Sequence, residues 1–309
     1  RPVIDGVLDD KAWKEAAWTS WFADIEGDRK PIPRYKTRAK MSWDNDCLYV
    51  GAFLQEPHIV GTLRQRDTVI FFDNDFEIFM DPDGDCMAYM EFEMNALNTV
   101  WDLLLPKAYR AKGDADNSWN MEGLRTGVHL YGTINDPSDV DSGWSVEVAI
   151  PWTALRRGGV TGVPATGSRW KINFSRVEWK YDITAAGYKK LAGPEDNWVW
   201  SPQWVVDMHR PEFWGELVFE RKSGPVSAAD PAWPAYVYLS NVWYAQNDYK
   251  TAHGRYAVSL AELGLDPSGF NPQFSVSNSG YMITASLRSG GKTYEISVDE
   301  NSGMHRHVR

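Results

Sequence analysis

Three groups of residues have the types and spacing to do chemistry. The first is acidic: Glu91 and Glu93 stand two apart in Met90-Glu91-Phe92-Glu93-Met94-Asn95, and Glu178 follows Arg176 by two. Paired carboxylates are what glycosidic hydrolysis requires, at about 5 Å or about 6.5–9.5 Å depending on stereochemistry. Acids two apart on a strand are also the ordinary composition of a solvated edge, and no catalytic motif surrounds these. The second group is aromatic with polar neighbours: Trp101 near Asn98, Trp179 beside Arg176 and Glu178, and Trp198 and Trp200 after Asn197. A flat ring can stack on the apolar C–H face of a sugar. Arg, Glu and Asn beside it can bridge neighbouring hydroxyls. The plain alternative for each Trp is burial in a core. The third group is Asp73, Asp75, Asp81, Asp83 and Asp85. These supply hard oxygens of the kind calcium takes six to eight of, so calcium is the expected metal. They do not form an EF-hand loop, and the alternative is an acidic hairpin turn.

Composition narrows the choices. With 43% hydrophobic and 24% charged residues the chain is a folded one. Lys+Arg 32 against Asp+Glu 42 gives −10, which argues against a nucleic-acid partner. No apolar run approaches the ~18 residues of a membrane span. Sixteen tryptophans, fourteen tyrosines and twelve phenylalanines are more rings than a core alone needs to hold, so some are expected as an exposed platform. The six histidines are scattered with no zinc spacing, and no phosphate loop, dinucleotide fingerprint or Gly-x-Ser-x-Gly is present. Cys47 and Cys86 either pair or serve as small buried hydrophobes. A start at Arg1 suits an exported chain after removal of its signal, in the periplasm, at the cell surface or outside the cell.

The elements that must position these groups are mostly short strands. Segments 39–43 and 48–53 flank Asp44-Asn45-Asp46, and 76–80 and 87–94 flank a turn with Asp83-Gly84, so each pair predicts a hairpin. Segments 144–150 and 170–174 alternate with period two, and 216–220 closes the set. The alternation sets Asp75 and Glu77, then Glu91, Glu93 and Asn95, then Lys171, Asn173 and Ser175 opposite apolar residues. Two readings stand: a solvated outer face, or the floor of a concave polar groove. Segment 223–231 reads as a linker. Beyond it, 235–253 predicts a helix stopped by Gly254, and 273–276, 281–287 and 293–298 predict a small sheet. The tail 303–309 is expected to fray.

Ile4-Asp5-Gly6-Val7-Leu8-Asp9-Asp10-Lys11-Ala12-Trp13 resembles the opening of family 9 carbohydrate-binding modules. Trp43-Asp44-Asn45-Asp46-Cys47-Leu48-Tyr49-Val50, Asp73-Asn74-Asp75-Phe76-Glu77-Ile78-Phe79-Met80-Asp81 and Gly143-Trp144-Ser145-Val146-Glu147-Val148-Ala149-Ile150-Pro151-Trp152 resemble later signatures of that family, in the right order. The resemblance implies an immunoglobulin-like or jelly-roll sandwich that binds sugars, often with calcium and often accompanying glycan-degrading enzymes. It also implies a slot of two tryptophans clamping a ring; the matching stretches are 98–102, 173–179 and 195–200. The region 181–194 and the C-terminal unit depart from the smaller members. A passage of the C-terminal unit, Tyr244-Ala245-Gln246 to Gly264-Leu265, is similar to the helix-to-sheet passage of pilin-like proteins.

The expected protein is mainly β: an antiparallel sandwich over 1–222, a linker over 223–231 and an α+β unit over 232–309. Its expected work is glycan binding in polysaccharide catabolism, without catalysis, through Asn98, Trp101, Arg176, Glu178, Trp179, Asn197, Trp198 and Trp200. One alternative is a glycoside hydrolase using Glu91, Glu93 or Glu178. The other is an interaction protein acting through its C-terminal unit.

Overall fold

The computed structural model describes residues 1–221 and 228–309. In chain order, a short helix α1 (Lys11–Glu15) leads to β1 (Ala23–Asp24), β2 (Thr37–Trp43) and β3 (Cys47–Leu54). Next come β4 (Asp75–Asp81), β5 (Met87–Asn95), β6 (Val100–Lys107), β7 (Arg125–Tyr131) and β8 (Gly143–Pro151). Then follow β9 (Arg169–Glu178), the hairpin of β10 (Tyr181–Thr184) and β11 (Gly187–Lys190), β12 (Asp196–Val199) and β13 (Gly215–Val218). One sheet runs β2-β3-β8-β7; the other runs β1-β12-β9-β4-β5-β6, with β13 also paired to β9. All these pairings are antiparallel.

Period-two alternation builds the core between the two sheets. Phe76, Ile78 and Met80 of β4, Met90, Phe92 and Met94 of β5, and Ile172 and Phe174 of β9 face inward. They meet Val50, Ala52 and Leu54 of β3 and Val146, Val148 and Ile150 of β8. The opening segment is laid across the outer face of the β2-β3-β8-β7 sheet. Glu147, fully buried, accepts from the backbone N–H of Asp5 and of Gly6, each at 2.8 Å, and from Trp13 Nε1. Gly6 has φ of +91° and a side chain there would lie 2.3 Å from the Val128 carbonyl carbon, so both conformation and contact require glycine.

One cation ties the sheets together. Arg176 at the end of β9 is fully buried among Phe174, Trp198 and two acids. Its Nε and Nη2 donate to Glu178 at 3.1 and 2.7 Å, and Nη2 also donates to Glu56 at 2.6 Å. Its Nη1 donates to Thr37 Oγ1 on β2 at 3.1 Å and to the Gln55 carbonyl at 2.8 Å. Arg34 approaches Glu178 from its other side at 3.5 Å, and burial, with Glu178 alongside, pushes the Glu56 carboxyl up to about 8.

The C-terminal unit is a helix on a sheet. Here α2 (Trp233–His253) ends at Gly254, which has φ of +72°, the left-handed stop expected of it. After α3 (Leu260–Leu263), strands β14 (Gln273–Val276), β15 (Tyr281–Ser289), β16 (Lys292–Asp299) and β17 (Met304–Val308) form an antiparallel sheet in that order. The tail does not fray. It is the fourth strand, because its backbone pairs with β16 and Met304 N–H donates to the Asp85 carbonyl at 2.8 Å. Leu239, Val242 and Trp243 of α2 pack on Ile283, Ile296 and Val298, and Cys86 and Ala111 of the sandwich join that cluster. Most of the stretch read as a linker lies outside the described residues; at its described end, Asp230 is paired with Arg306. Cys47 and Cys86 are both buried and free.

Removing Arg176 strands two buried carboxyls. Arg176→Ala should therefore cost about 3–5 kcal/mol of stability in urea unfolding, where an exposed Arg would cost little. An unchanged midpoint would mean the network does not bear on the fold.

Candidate functional site

Register brings the polar faces of three neighbouring strands together. Glu77 on β4 lies opposite Glu93 on β5 and Ser175 on β9, and Phe79 lies opposite Glu91 and Asn173. This face is not a solvated one. Glu91 is 5% and Glu93 1% exposed, and Asn173 and Ser175 are fully buried. The reason is the irregular segment 201–214, which crosses the sheet. Asn173 Nδ2 donates to the Ser201 carbonyl at 2.8 Å, and its Oδ1 accepts from Ser201 N–H at 2.9 Å. Trp214 seats on Phe79 and Tyr89 and donates through Nε1 to the Met208 carbonyl at 2.8 Å.

What stays open is a groove of about 330 Å³, with Glu77, Glu91 and Glu93 as its floor and Trp101, Tyr109, Phe71, Asn197 and His209 around it. Burial pushes Glu77 up to about 7 and Glu91 up to about 8. Burial and the neighbouring acids Glu77 and Glu91 hold Glu93 well above the ordinary carboxylate range. Raised in this way, a floor carboxyl such as Glu91 holds a proton further up the pH scale than a free carboxylate, and a protonated carboxyl both donates and accepts. Burial lowers His209 to about 4, leaving its ring neutral, with Nδ1 3.1 Å from the Tyr89 hydroxyl. Two groups lining this groove lack partners among the described residues: Glu77 Oε2 and Trp101 Nε1 are buried without a hydrogen bond. Such orphans are costly unless a ligand or water meets them.

Of the expected site residues, Trp101, Asn197, Glu91 and Glu93 do line this groove. Trp179 stands next to it: its Nε1 donates to the carbonyl of Phe71 at 2.7 Å, and Lys190 lies 3.7 Å over its ring. The rest are elsewhere. Arg176 and Glu178 share the inward face of β9 with Phe174, so their hydrogen bonds are spent on each other, on Glu56 and on Thr37. Glu178 is thereby separated by the sheet from Glu91 and Glu93, so the three acids expected as a catalytic set do not converge. Trp198 and Trp200 do turn to one side, but it is the interior side. Trp198 is 3% exposed in the core, and Trp200 packs on Phe174 and covers Gly215. Asn98 sits in the β5–β6 turn with φ of +59°, its amide 3.4 Å from the Thr126 carbonyl, outside the groove. Glu77, Tyr109 and His209 are additions. Glu77 was visible in the alternation, whereas the irregular segment that carries His209 has no periodic signal.

The five aspartates expected to hold calcium do not form one site. Asp73 is saturated by the N–H groups of Thr62 and Leu63, the Thr62 hydroxyl and the Asn95 amide, and it pins the 62–63 loop. Asp75 joins Glu77 and Glu93 instead, their oxygens within 4.8 Å of one another. Asp81, Asp83 and Asp85 gather equally closely in the β4–β5 hairpin. Both sets offer oxygens only, which suits a hard cation. In the hairpin, Asp81 already accepts from the N–H of Gly84 at 3.0 Å and of Cys86 at 2.9 Å.

The profile of the carbohydrate family 9 binding domain-like family matches residues 4–200. The chain belongs to that family. It is thus a family 9 carbohydrate-binding module with further structure after its matched span, which stops before the segment that walls the groove. Exoglucanase XynX of Acetivibrio thermocellus is 28% identical over 160 residues, 50% of this chain, and the chain spans only 12% of that protein. Two structures of a family 9 module from Caldicellulosiruptor kristjanssonii are similar in sequence at 18% and 17% identity. One, in complex with cellotriose, matches 75% of this chain and 96% of its own with a TM-score of 0.47. The other, in complex with glucose, matches 74% and 96% with the same TM-score of 0.47.

The raised carboxyls of this module set a sign for its pH response. Glu91 keeps its proton in the fold up to about 8 but releases it near 4.5 in the unfolded chain, so stability falls as pH rises across that interval. Glu91→Gln removes one such group, so its melting temperature should drop less than wild type between about pH 5 and about pH 8. Identical slopes would show that Glu91 holds no proton in the native state. For the rings, Trp198→Ala should lose about 3–5 kcal/mol of stability as a core truncation, read by thermal melting; a wild-type melt would return Trp198 to the surface.

Proposed function

We propose that the groove over Glu77, Glu91 and Glu93 receives a sugar unit of a glycan and holds it without cleaving it. The observation that carries this reading is the pair of buried, partnerless groups, Glu77 Oε2 and Trp101 Nε1, facing one open groove. A sugar answers both needs: its hydroxyls donate to the carboxyl oxygen and accept from the indole N–H, while its C–H face lies on Trp101 or Tyr109. Glu91, pushed up to about 8, adds a donor that an ionised floor could not supply.

Hydrolysis fits less well. A glycosidase sets its two carboxyl groups on either side of the scissile bond and keeps one of them ionised. Here Glu77, Glu91 and Glu93 lie side by side on one sheet, Glu77 directly opposite Glu93 in register, and all are pushed toward the protonated form. An exported module working alongside glycan-degrading enzymes is the setting that suits such a reading. Calcium belongs to it as a structural cation of the Asp81, Asp83 and Asp85 hairpin.

Cellotriose and glucose, found in the related structures, are the first ligands to titrate. Trp101→Ala should weaken binding by about 1–3 kcal/mol, by analogy with stacking of flat rings, with little change in melting temperature. Glu77→Gln should weaken it as well, and no reducing sugar should appear with wild type. Release of reducing ends that is lost in Glu91→Gln would replace this reading with an enzymatic one. For the cation, excess EDTA should lower the melting temperature and added calcium restore it, because a ligand bound only by the fold stabilises it. A melting curve indifferent to both would remove calcium from the account.

A further inference from the structure

The opposite sheet carries a second arrangement built for a ligand, and it is cationic. Arg38 and Lys40 on β2, and Lys36 just before it, alternate outward, with Ala39 in the core between the first two. Two tryptophans of the segment before β1 enclose the middle one. The Arg38 guanidinium carbon is 4.1 Å from the Trp18 ring centroid and 4.4 Å from that of Trp21. Lys40 lies 4.5 Å over Trp18 and Lys36 5.5 Å over Trp21, extending the row at both ends. The backbone holds this register: Trp18 bridges to Lys40, Thr19 N–H donates to the Ala39 carbonyl at 2.8 Å, and Phe22 N–H donates to that of Thr37 at 3.0 Å.

With an indole on each side, the flat faces of the guanidinium are filled and its N–H edge is what remains. Among the described residues that guanidinium has no acceptor and no carboxylate pairs with Arg38 or Lys36; its Nε is buried, so the terminal Nη1 and Nη2 end is the part open to a ligand. In a chain of net charge −10 this is an unneutralised row of positive charge. Lys40 is already engaged by the Trp13 carbonyl, so Arg38 and Lys36 are the free cations of the row. Next to Arg38 across the sheet is Phe53, whose ring lies 5.9 Å from that of Tyr131, and Tyr131 is 38% exposed. A strip of rings therefore leads away from the cation. Trp21, at 46% exposed, begins the strip on the other side.

We propose that this strip is a second glycan site, separate from the groove and selective for saccharides bearing a uronic-acid carboxylate. The carboxylate takes the two-pronged N–H edge of Arg38, supported by Lys36, and the adjoining sugar ring lies on Phe53 and Tyr131. An acidic peptide would satisfy the charge but has no need of the ring strip, so the saccharide is favoured. The two sites lie on opposite sheets of the sandwich, so their occupancies should be independent.

The test is calorimetric titration of the intact chain with tri-galacturonate and with its neutral methyl ester. Tri-galacturonate should bind and the ester should not, and raised salt should weaken the acid form, as for exposed charges. Arg38→Gln should lower tri-galacturonate affinity by about tenfold or more, with cellotriose titration unchanged. Arg38→Lys should recover only part, since it keeps the charge and loses the planar fork. Should Arg38→Gln melt early, Lys36→Gln and Tyr131→Ala, both on exposed side chains, should each weaken the same ligand. Equal binding of acid and ester, or loss of tri-galacturonate binding in Glu77→Gln rather than in the Arg38 and Lys36 variants, would overturn the proposal.

Discussion

Arg176 sets the constraint on which much of the sandwich depends. A guanidinium removed from water has to satisfy all its donors, and here the acceptors come from both sheets: Glu178 on its own strand, Thr37 on β2, and Glu56 and Gln55 just after β3. The strand it anchors, β9, is the one against which β4, β12 and β13 all pair. Holding the end of β9 thus holds the register that aligns Glu77 with Ser175 and, through β4, with Glu93. Buried ion networks are a weak source of net stability, but they penalise every arrangement that leaves a member unpaired. In this fold the penalised arrangements are those with β9 slipped by one residue, which would turn Asn173 and Ser175 into the core and Arg176 out of it.

The groove itself runs against stability. Burial raises the proton affinity of three carboxyls on neighbouring strands, Glu77 adding to the effect on Glu91 and Glu93, and two polar atoms of the groove have no partner among the described residues. Violations of this kind persist where a site requires them and the surroundings compensate. The compensation is visible in segment 201–214. It is stitched to the sheet through Asn173 and weighted by Trp214, and its far end is fixed by Glu212. Glu212 accepts from Arg110 at 2.8 Å and from the Tyr244 hydroxyl of α2 at 2.9 Å. The C-terminal helix therefore buttresses one wall of the groove, which connects the unit beyond the family's matched span to the site inside it.

The two faces of the sandwich divide charge between them. The outer face of the β4-β5-β9 sheet is acidic and sheltered, and its buried carboxyls are pushed above the ordinary range. The outer face at β2 holds its cations against indole rings, with no carboxylate paired to Arg38 or Lys36 among the described residues. Neither could be inferred from the net charge of the chain, which averages over both. What distinguishes them is how each side chain is covered: by a crossing segment in one case, by rings that leave one edge open in the other.

Local pattern was enough to determine many of the strands, because period-two alternation and Asp/Gly turns are properties of neighbouring residues; β6, β7 and the β10–β11 hairpin were not among them. The hairpins at 39–53 and 76–94, the helix stop at Gly254 and the shared polar face of Asp75, Glu77, Glu91, Glu93 and Asn173 were all legible that way. The opening motif was legible through its family resemblance, and its glycine and tryptophan both meet Glu147. Which side of an alternating strand faces the core at its end was not legible. Arg176 and Trp198 read as surface chemistry because charge beside a ring looks the same in a binding platform and in a satisfied interior. Whether the acidic face met water was equally hidden, since the segment that shelters it is irregular and lies more than a hundred residues from Glu91 and Glu93. The tail from Met304 looked unstructured because a polar edge strand has no apolar alternation to show, and its order comes from pairing with β16. Sequence determined the strands that alternate cleanly and the two faces of each; only the tertiary structure decided which face was covered, because covering is done by residues remote in the chain.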